Sequence, residues 1–327
     1  MARLSDLVRE QSLEPRGGGN TASRSHAPVT AGERELACRW YATAREEVRR
    51  VGEAVRSSVR PRLDAFGDLA RELVHELHQS DECVRWALSG QTDDYLADNA
   101  LHVAVLSVKV GIGLHYSEED LERLAMAGLL HDIGMWTLPA SLLEKAGALT
   151  DEERVAIRAH PERGRRILAG LGSSCEWLST ISAQEHERWD GSGYPCRLKG
   201  TQIAEQAQII GVVDVFDALM TVRPYRKNIA PHQALRELLV HGKPAFSHRV
   251  LKSLGDQVTL YPVGTAVRLN TGEIGTVFKV NPRYPLRPIL LIPREAEAGR
   301  EGDASELDLG QATCMHIVEV LQAVSAS

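Results

Sequence analysis

At 327 residues the chain has room for two domains and for a full buried core. Hydrophobic content of 43% and charged content of 25% are ordinary for a soluble globular protein, and a formal charge of −6 argues against general nucleic-acid binding while leaving a small anionic ligand open. The five cysteines, odd in number and without a C-x-x-C pair, exclude a disulfide framework or zinc ribbon and indicate a reducing cytoplasm, while the absence of an apolar signal core in "MARLSDLVRE" and of any run of about 18 apolar residues predicts neither standard secretion nor a membrane span.

Residues 1–32, with "EPRGGGNTASRSHAPVTAG", are dominated by Gly, Ser, Pro and Thr and predict a flexible arm. Residues 33–91 read as an N-terminal helical region. "ELACRWYATAREEVRRVGEAVRSSV" and "LDAFGDLARELVHELHQS" carry apolar residues at three- and four-residue spacing, with Pro61 between them. His75 and His78 stand at i and i+3 in the second helix; without a carboxylate cluster around them, a solvated face is a simpler reading than a metal site. These charged helices either pair two chains into a homodimer or pack against the rest of the protein. Residues 92–256 predict an all-helical unit, with helices over 94–113, 118–132, 150–170, 173–187, 204–221 and 231–255, and "TDEE" from Thr150 predicts a capping box. At Tyr261 the period shortens: "VGTAVRLNTGEIGTVFKVNPRYPLRPILLI" alternates apolar and polar residues, with turns at "NTGE" and "NPRYP". Residues 257–327 therefore predict a small β-rich, barrel-like module, read as a packing or interaction unit because few of its residues can do chemistry. The expected fold is mainly α, a helical bundle followed by that module.

The chemistry lies in residues 92–256. "AGLLHDIGMW" ends an apolar helix with His131 and Asp132 side by side, and a buried ionised carboxylate is costly unless something compensates its charge. "AHPERGRRIL" adds His160, "QEHERWDGSGYP" adds Glu185 and His186 before a glycine-rich loop, and "GVVDVFDALMTVRPYR" adds Asp214, with Arg223 and Arg226 beyond it. Each is weak alone. Together, imidazoles and carboxylates emerging from apolar helices are what a buried divalent site requires, since carboxylates neutralise the ion and neutral imidazole suits first-row metals. Asp132 can bridge two ions about 3.5–4 Å apart.

In this order the segments resemble the HD-GYP family, a branch of the HD phosphohydrolases. The matching residues are His131-Asp132-Ile133-Gly134, His160-Pro161 with Gly164, His186-Glu187, Asp190-Gly191-Ser192-Gly193-Tyr194-Pro195 and Arg223-Pro224-Tyr225-Arg226. The resemblance spans about residues 92–256, with looser similarity through "YPVGTAVRLNTGEIG". It implies an HD-type bundle, two divalent ions (iron or manganese) and hydrolysis of cyclic di-GMP to the linear dinucleotide pGpG. By position it implies that His131, Asp132 and Asp214 hold one ion, with Asp132 bridging, and that His160 and His186 hold the other with Glu185 beside them. A water shared by the ions would be the nucleophile. Arg223 would grip the phosphate with its forked donors, with Arg226 following it. Gly193, Tyr194 and Pro195 would shape the pocket mouth, and the resemblance links this loop to contacts with diguanylate-cyclase-type partner proteins.

Three positions depart from that pattern. Asn99 stands where the family has a metal-binding His, and His102 follows at i+3. Either His102 supplies the missing imidazole, with Asp98 orienting its ring, or it is a packing residue and the first ion has one ligand fewer. Glu185 replaces a usual His, a hard ligand still suited to iron or manganese. Met135 replaces a Lys held to contact the phosphate, and losing one cation costs on the order of 2–4 kcal/mol of transition-state stabilisation. An alternative is therefore a catalytically weakened or inactive protein serving as a cyclic di-GMP sensor or scaffold. A third is an HD phosphohydrolase for another nucleotide.

Overall fold

The structure, a computed structural model, describes residues 31–89, 92, 94–145, 147–221, 229–258, 261, 264–281, 284, 286–293, 304–312 and 314–321. Nearly all of the expected arm lies outside them. Helices α1 (Ala31–Arg56), α2 (Phe66–Gln79) and α3 (Glu82–Ala87) form over the charged N-terminal stretch. One stripe of α1, including Ala37, Trp40, Tyr41, Ala44, Val48 and Val51, is buried at helical spacing. The polar ends of its aromatics are satisfied: Trp40 Nε1 donates to the Leu69 carbonyl at 2.9 Å and the Tyr41 hydroxyl to the Cys83 carbonyl at 3.0 Å. His75 and His78 stay apart from any cluster, against Gln79 at 2.8 Å and Glu118 at 3.0 Å.

The bundle continues with α4 (Tyr95–Gly113), α5 (Glu118–Leu130), a 3-10 turn (Ile133–Thr137), α6 (Ala140–Leu143), α7 (Asp151–Arg158), α8 (His160–Ala169), α9 (Glu176–Gln184), α10 (Glu205–Met220), α11 (Pro231–His241) and α12 (His248–Gln257). Helix α4 is buried on nearly every side because α1, α3, α5, α10 and α12 surround it. It is long and apolar enough to cross a membrane, yet 83% of that stretch is buried inside the protein. Leu101, Leu106, Leu124 and Leu129 are among the largest buried side chains around it, each contributing about 1.5–3 kcal/mol of burial. Asp98, 1% exposed at the side chain, is held by Arg45 of α1 at 2.6 Å, which ties the N-terminal helices to the bundle.

Two expected helices are broken. The stretch 150–170 splits at Ala159 (φ −84°, ψ −6°), because Pro161 in the first turn of α8 has no N–H to continue α7. The stretch 231–255 splits into α11 and α12 around 242–247, which contains Gly242 and Pro244. The capping box forms as expected, Glu153 N donating to Thr150 Oγ1 at 3.2 Å and Thr150 N to Glu153 Oε2 at 2.8 Å. Among the described residues of 92–256 there is no strand.

The C-terminal strands β1 (Ala266–Leu269), β2 (Ile274–Lys279), β3 (Ile289–Pro293), β4 (Ala304–Asp308) and β5 (Ile317–Leu321) form an antiparallel sheet in the order β4-β3-β2-β1-β5. Val267, Val277 and Leu290 line its buried face. No ladder joins β4 to β5 among the described residues, so the module is an open sheet and not a closed barrel.

Candidate metal centre

The ligand candidates stand at helix ends because the chain must turn there. Helix α5 stops at His131, and Asp132 opens the 3-10 turn. Helix α8 starts at His160, and α9 ends at Glu185, directly before His186. Asp214 alone comes from within a helix, α10. The turn and α8 touch backbone to backbone at Gly134: a Cβ there would lie 2.1 Å from the His160 carbonyl oxygen and 2.7 Å from Gly164 N. That contact sets Asp132 beside His160. Gly211 plays the same part for α10, where a Cβ would lie 2.3 Å from the Glu185 carbonyl oxygen.

Two imidazoles are aimed by their neighbours. His131 Nδ1 donates to the Gly128 carbonyl at 2.8 Å and His160 Nδ1 to the Ile157 carbonyl at 2.7 Å, so each Nε2 faces inward. His160 Nε2 lies 3.0 Å from Asp132 Oδ1, 3.4 Å from Glu185 Oε1 and 3.0 Å from His186 Nε2. His131 Nε2 lies 3.7 Å from Asp132 Oδ2, 3.9 Å from Asp214 Oδ1 and 4.0 Å from Glu185 Oε2. Asp132, His160, Glu185 and His186 each offer one ligand atom within 4.8 Å of the others.

The unpartnered polar atoms of the cluster fit a divalent cation. His131 Nε2, Asp132 Oδ1, both Glu185 carboxylate oxygens and Asn99 Oδ1 are buried without a hydrogen-bond partner. Such orphaned atoms are rare unless something else binds them. Burial pushes the Glu185 carboxyl up to about 7 against the pull of His131 and His160, and burial likewise raises Asp214. Burial also works to raise Asp132, but His160 and His131 outweigh it and hold this carboxyl below the usual range. For His160 burial disfavours charge, yet Asp132 and Glu185 together outweigh it and lift the imidazole to about 11. Burial and the neighbouring His160 keep His186 well below its ordinary value, hence neutral. Three imidazoles and three carboxylates fit a divalent first-row metal.

The loop after His186 closes against the cluster. Tyr194 stacks on His186 with ring centroids 4.8 Å apart and planes at 22°, and the Arg158 guanidinium sits 5.2 Å from the Tyr194 ring. Gly193 is buried, and Pro195 follows Tyr194 on the exposed rim. Glu187 braces this loop by accepting from Cys196 N at 2.6 Å and Leu198 N at 2.9 Å.

His131, Asp132, His160, Glu185, His186 and Asp214 are brought together; His102 is not. Its Nδ1 lies 2.9 Å from Asp217 Oδ1, which turns the ring toward α10, away from the ligand role considered for it. Asp98 does not orient it either, because that carboxylate is taken by Arg45, Thr92 and the Asp94 N–H. Arg223 and Arg226 lie outside the described residues. Sequence reasoning missed Asp217 and the bracing role of Glu187. A second carboxylate at i+3 from Asp214 in an otherwise apolar helix was the available signal for Asp217.

Residues 82–246 match the family described as HD domain, and residues 266–326 match the KOW domain associated with HD domain. A cyclic di-GMP phosphodiesterase of Pseudomonas aeruginosa is 32% identical over 221 residues, covering 68% of this chain and 53% of that protein. A cyclic di-GMP phosphodiesterase response regulator of Xanthomonas campestris pv. campestris is 35% identical over 197 residues, covering 57% and 51%. A 3'3'-cGAMP-specific phosphodiesterase of Vibrio cholerae is 31% identical over 188 residues, covering 57% and 34%. The chain spans about half the length of the first two relatives. Among solved structures, Bd1817, an HDGYP protein from Bdellovibrio bacteriovorus, shares the fold with a TM-score of 0.58 at 16% identity, over 71% of this chain and 74% of that one.

Proposed function

Since this chain belongs to the HD-domain family, we propose that it is a metal-dependent phosphodiesterase that opens cyclic di-GMP to the linear dinucleotide. The observation that carries this reading is the set of orphaned donor atoms on His131, Asp132 and Glu185, buried beside His160, His186 and Asp214. His131, Asp132 and Asp214 would hold one ion, and His160, His186 and Glu185 the other. Iron or manganese suits this mixture of oxygen and nitrogen donors. When bound, two such ions neutralise phosphate charge and lower the pKa of a water from 15.7 to about 7, which makes it a nucleophile at neutral pH.

The chain's own residues supply aim and shape. The Gly128 and Ile157 carbonyls lock the tautomers of His131 and His160. The exposed Arg158, over the Tyr194 ring, offers a cation at the rim, chemistry suited to a phosphate. Arg223 and Arg226 would add forked phosphate donors. The linear product is more flexible and more charged than the ring, so a second cut should be slow.

The test is an anaerobic preparation assayed for metal content by elemental analysis and for turnover of cyclic di-GMP and 3'3'-cGAMP by chromatography. Linear pGpG as the main early product supports the reading. Turnover of 3'3'-cGAMP alone would reassign the substrate, and a metal-loaded chain that leaves both intact would refute the activity.

A further inference from the structure

Asp214 and Asp217 stand three residues apart on α10, and Asn99 and His102 answer them three residues apart on α4. Asn99 Nδ2 donates to Asp214 Oδ1 at 3.2 Å and to Asp217 Oδ2 at 2.9 Å. His102 Nδ1 donates to Asp217 Oδ1 at 2.9 Å, and Thr221 Oγ1 to Asp217 Oδ2 at 3.3 Å. The group is enclosed, with Asn99 2%, His102 4% and Asp217 0% exposed.

An ionised carboxylate only accepts, so the amide of Asn99 must present its NH2 to both aspartates. This fixes which way the side chain faces, and it leaves Asn99 Oδ1 buried and without a partner. The amide is thereby the link between Asp217, which does not touch the cluster atoms described above, and Asp214, which lies 3.9 Å from His131 Nε2. His102 supplies the donor to the second Asp217 oxygen. Without that N–H, a fully buried carboxylate loses a hydrogen bond that no solvent can replace.

We propose that His102 and Asp217 are positioning residues, a buried pair that fixes the Asn99 amide and, through it, the Asp214 carboxylate at the metal cluster. This rests on the metal-binding half of the function above and not on its substrate. A ligand carboxylate must be held within a few tenths of an ångström, and outer partners of this kind typically govern about 10–100-fold in metal affinity.

The test titrates Mn2+ into the chelator-treated full chain by calorimetry, with circular dichroism and melting in chelator as the folding control. His102→Leu keeps bulk but removes the donor, and should weaken Mn2+ binding by about 10–100-fold. His102→Asn places an amide N–H near the position of Nδ1 and should restore most of it. Asn99→Ala should show a loss like that of His102→Leu, and the double variant should lose no more than either, because both act through one link. Wild-type affinity in folded His102→Leu would overturn the proposal. So would equal loss in His102→Asn, or additive losses in the double variant. If His102→Leu does not fold, Asp217→Asn, which has the same shape, carries the test; unchanged affinity there overturns the proposal equally. A chain that binds Mn2+ as expected but leaves cyclic di-GMP intact refutes only the substrate reading.

Discussion

Replacing Gly134 with alanine should damage the metal centre without touching a ligand. The new Cβ would lie 2.1 Å from the His160 carbonyl oxygen, about 1.3 Å short of the 3.4 Å at which ordinary contact begins. Both neighbours are backbone, Gly164 N being 2.7 Å away, so no side chain can swing aside. Helix α8 must back off from the Ile133–Thr137 turn, and His160 travels with it. Overpacking of this kind costs about 1–3 kcal/mol, read as roughly 2–4 °C of Tm per kcal/mol. The functional loss should be larger in proportion. His160 Nε2 now lies 3.0 Å from Asp132 Oδ1, and a displacement near 1 Å far exceeds the roughly 0.2 Å a ligand distance tolerates. Mn2+ affinity of the chelator-treated chain should therefore fall by at least about tenfold, with the helical circular dichroism signal retained. Unchanged Mn2+ affinity and Tm in Gly134→Ala would refute the claim that this backbone contact sets the cluster. A lower Tm with unchanged affinity would refute its link to His160.

Asp132→Ala should be the most damaging single ligand change, removing the carboxylate that faces both His131 and His160 at 3.7 and 3.0 Å; elemental analysis should find metal content far below that of the wild type, and retention would count against the assignment. Glu187→Ala should release the loop held at Cys196 N and Leu198 N, costing about 1–3 kcal/mol and raising KM more than it lowers kcat in steady-state kinetics. Met135→Lys should return a cation worth on the order of 2–4 kcal/mol in the transition state, or roughly 30- to 1000-fold in kcat; an unchanged kcat with intact metal content would exclude that role for position 135. Chelator should lower Tm, because removing a cation held at about 100 times its Kd forfeits about 2.7 kcal/mol, and a Tm indifferent to chelator and Mn2+ would argue that nothing structural binds there.

The local code carried much of this protein. Apolar spacing in "RELVHELHQ" and "ALHVAVLSVKV" marked helices because burial selects one face, or every face, of a regular spiral. Thr150 and Glu153 marked a helix start because a cap is made within one turn. His131-Asp132, His160, Glu185-His186 and Asp214 were legible as ligand candidates because ionisable groups inside apolar helices need a counter-charge. What a window of neighbouring residues does not contain is direction. Whether His102 faced the cluster or α10 depended on Asp217, 115 residues away, which supplies the acceptor. The sequence predicted one helix over 150–170, whereas Pro161 splits it at Ala159 and the packing of α8 against Gly134 makes that break the placement of His160 beside Asp132. The strand period predicted a β module, but closure is a matter of whether β4 and β5 pair, and among the described residues they do not. Sequence determined which groups must be buried and compensated; long-range packing alone decided which of them meet.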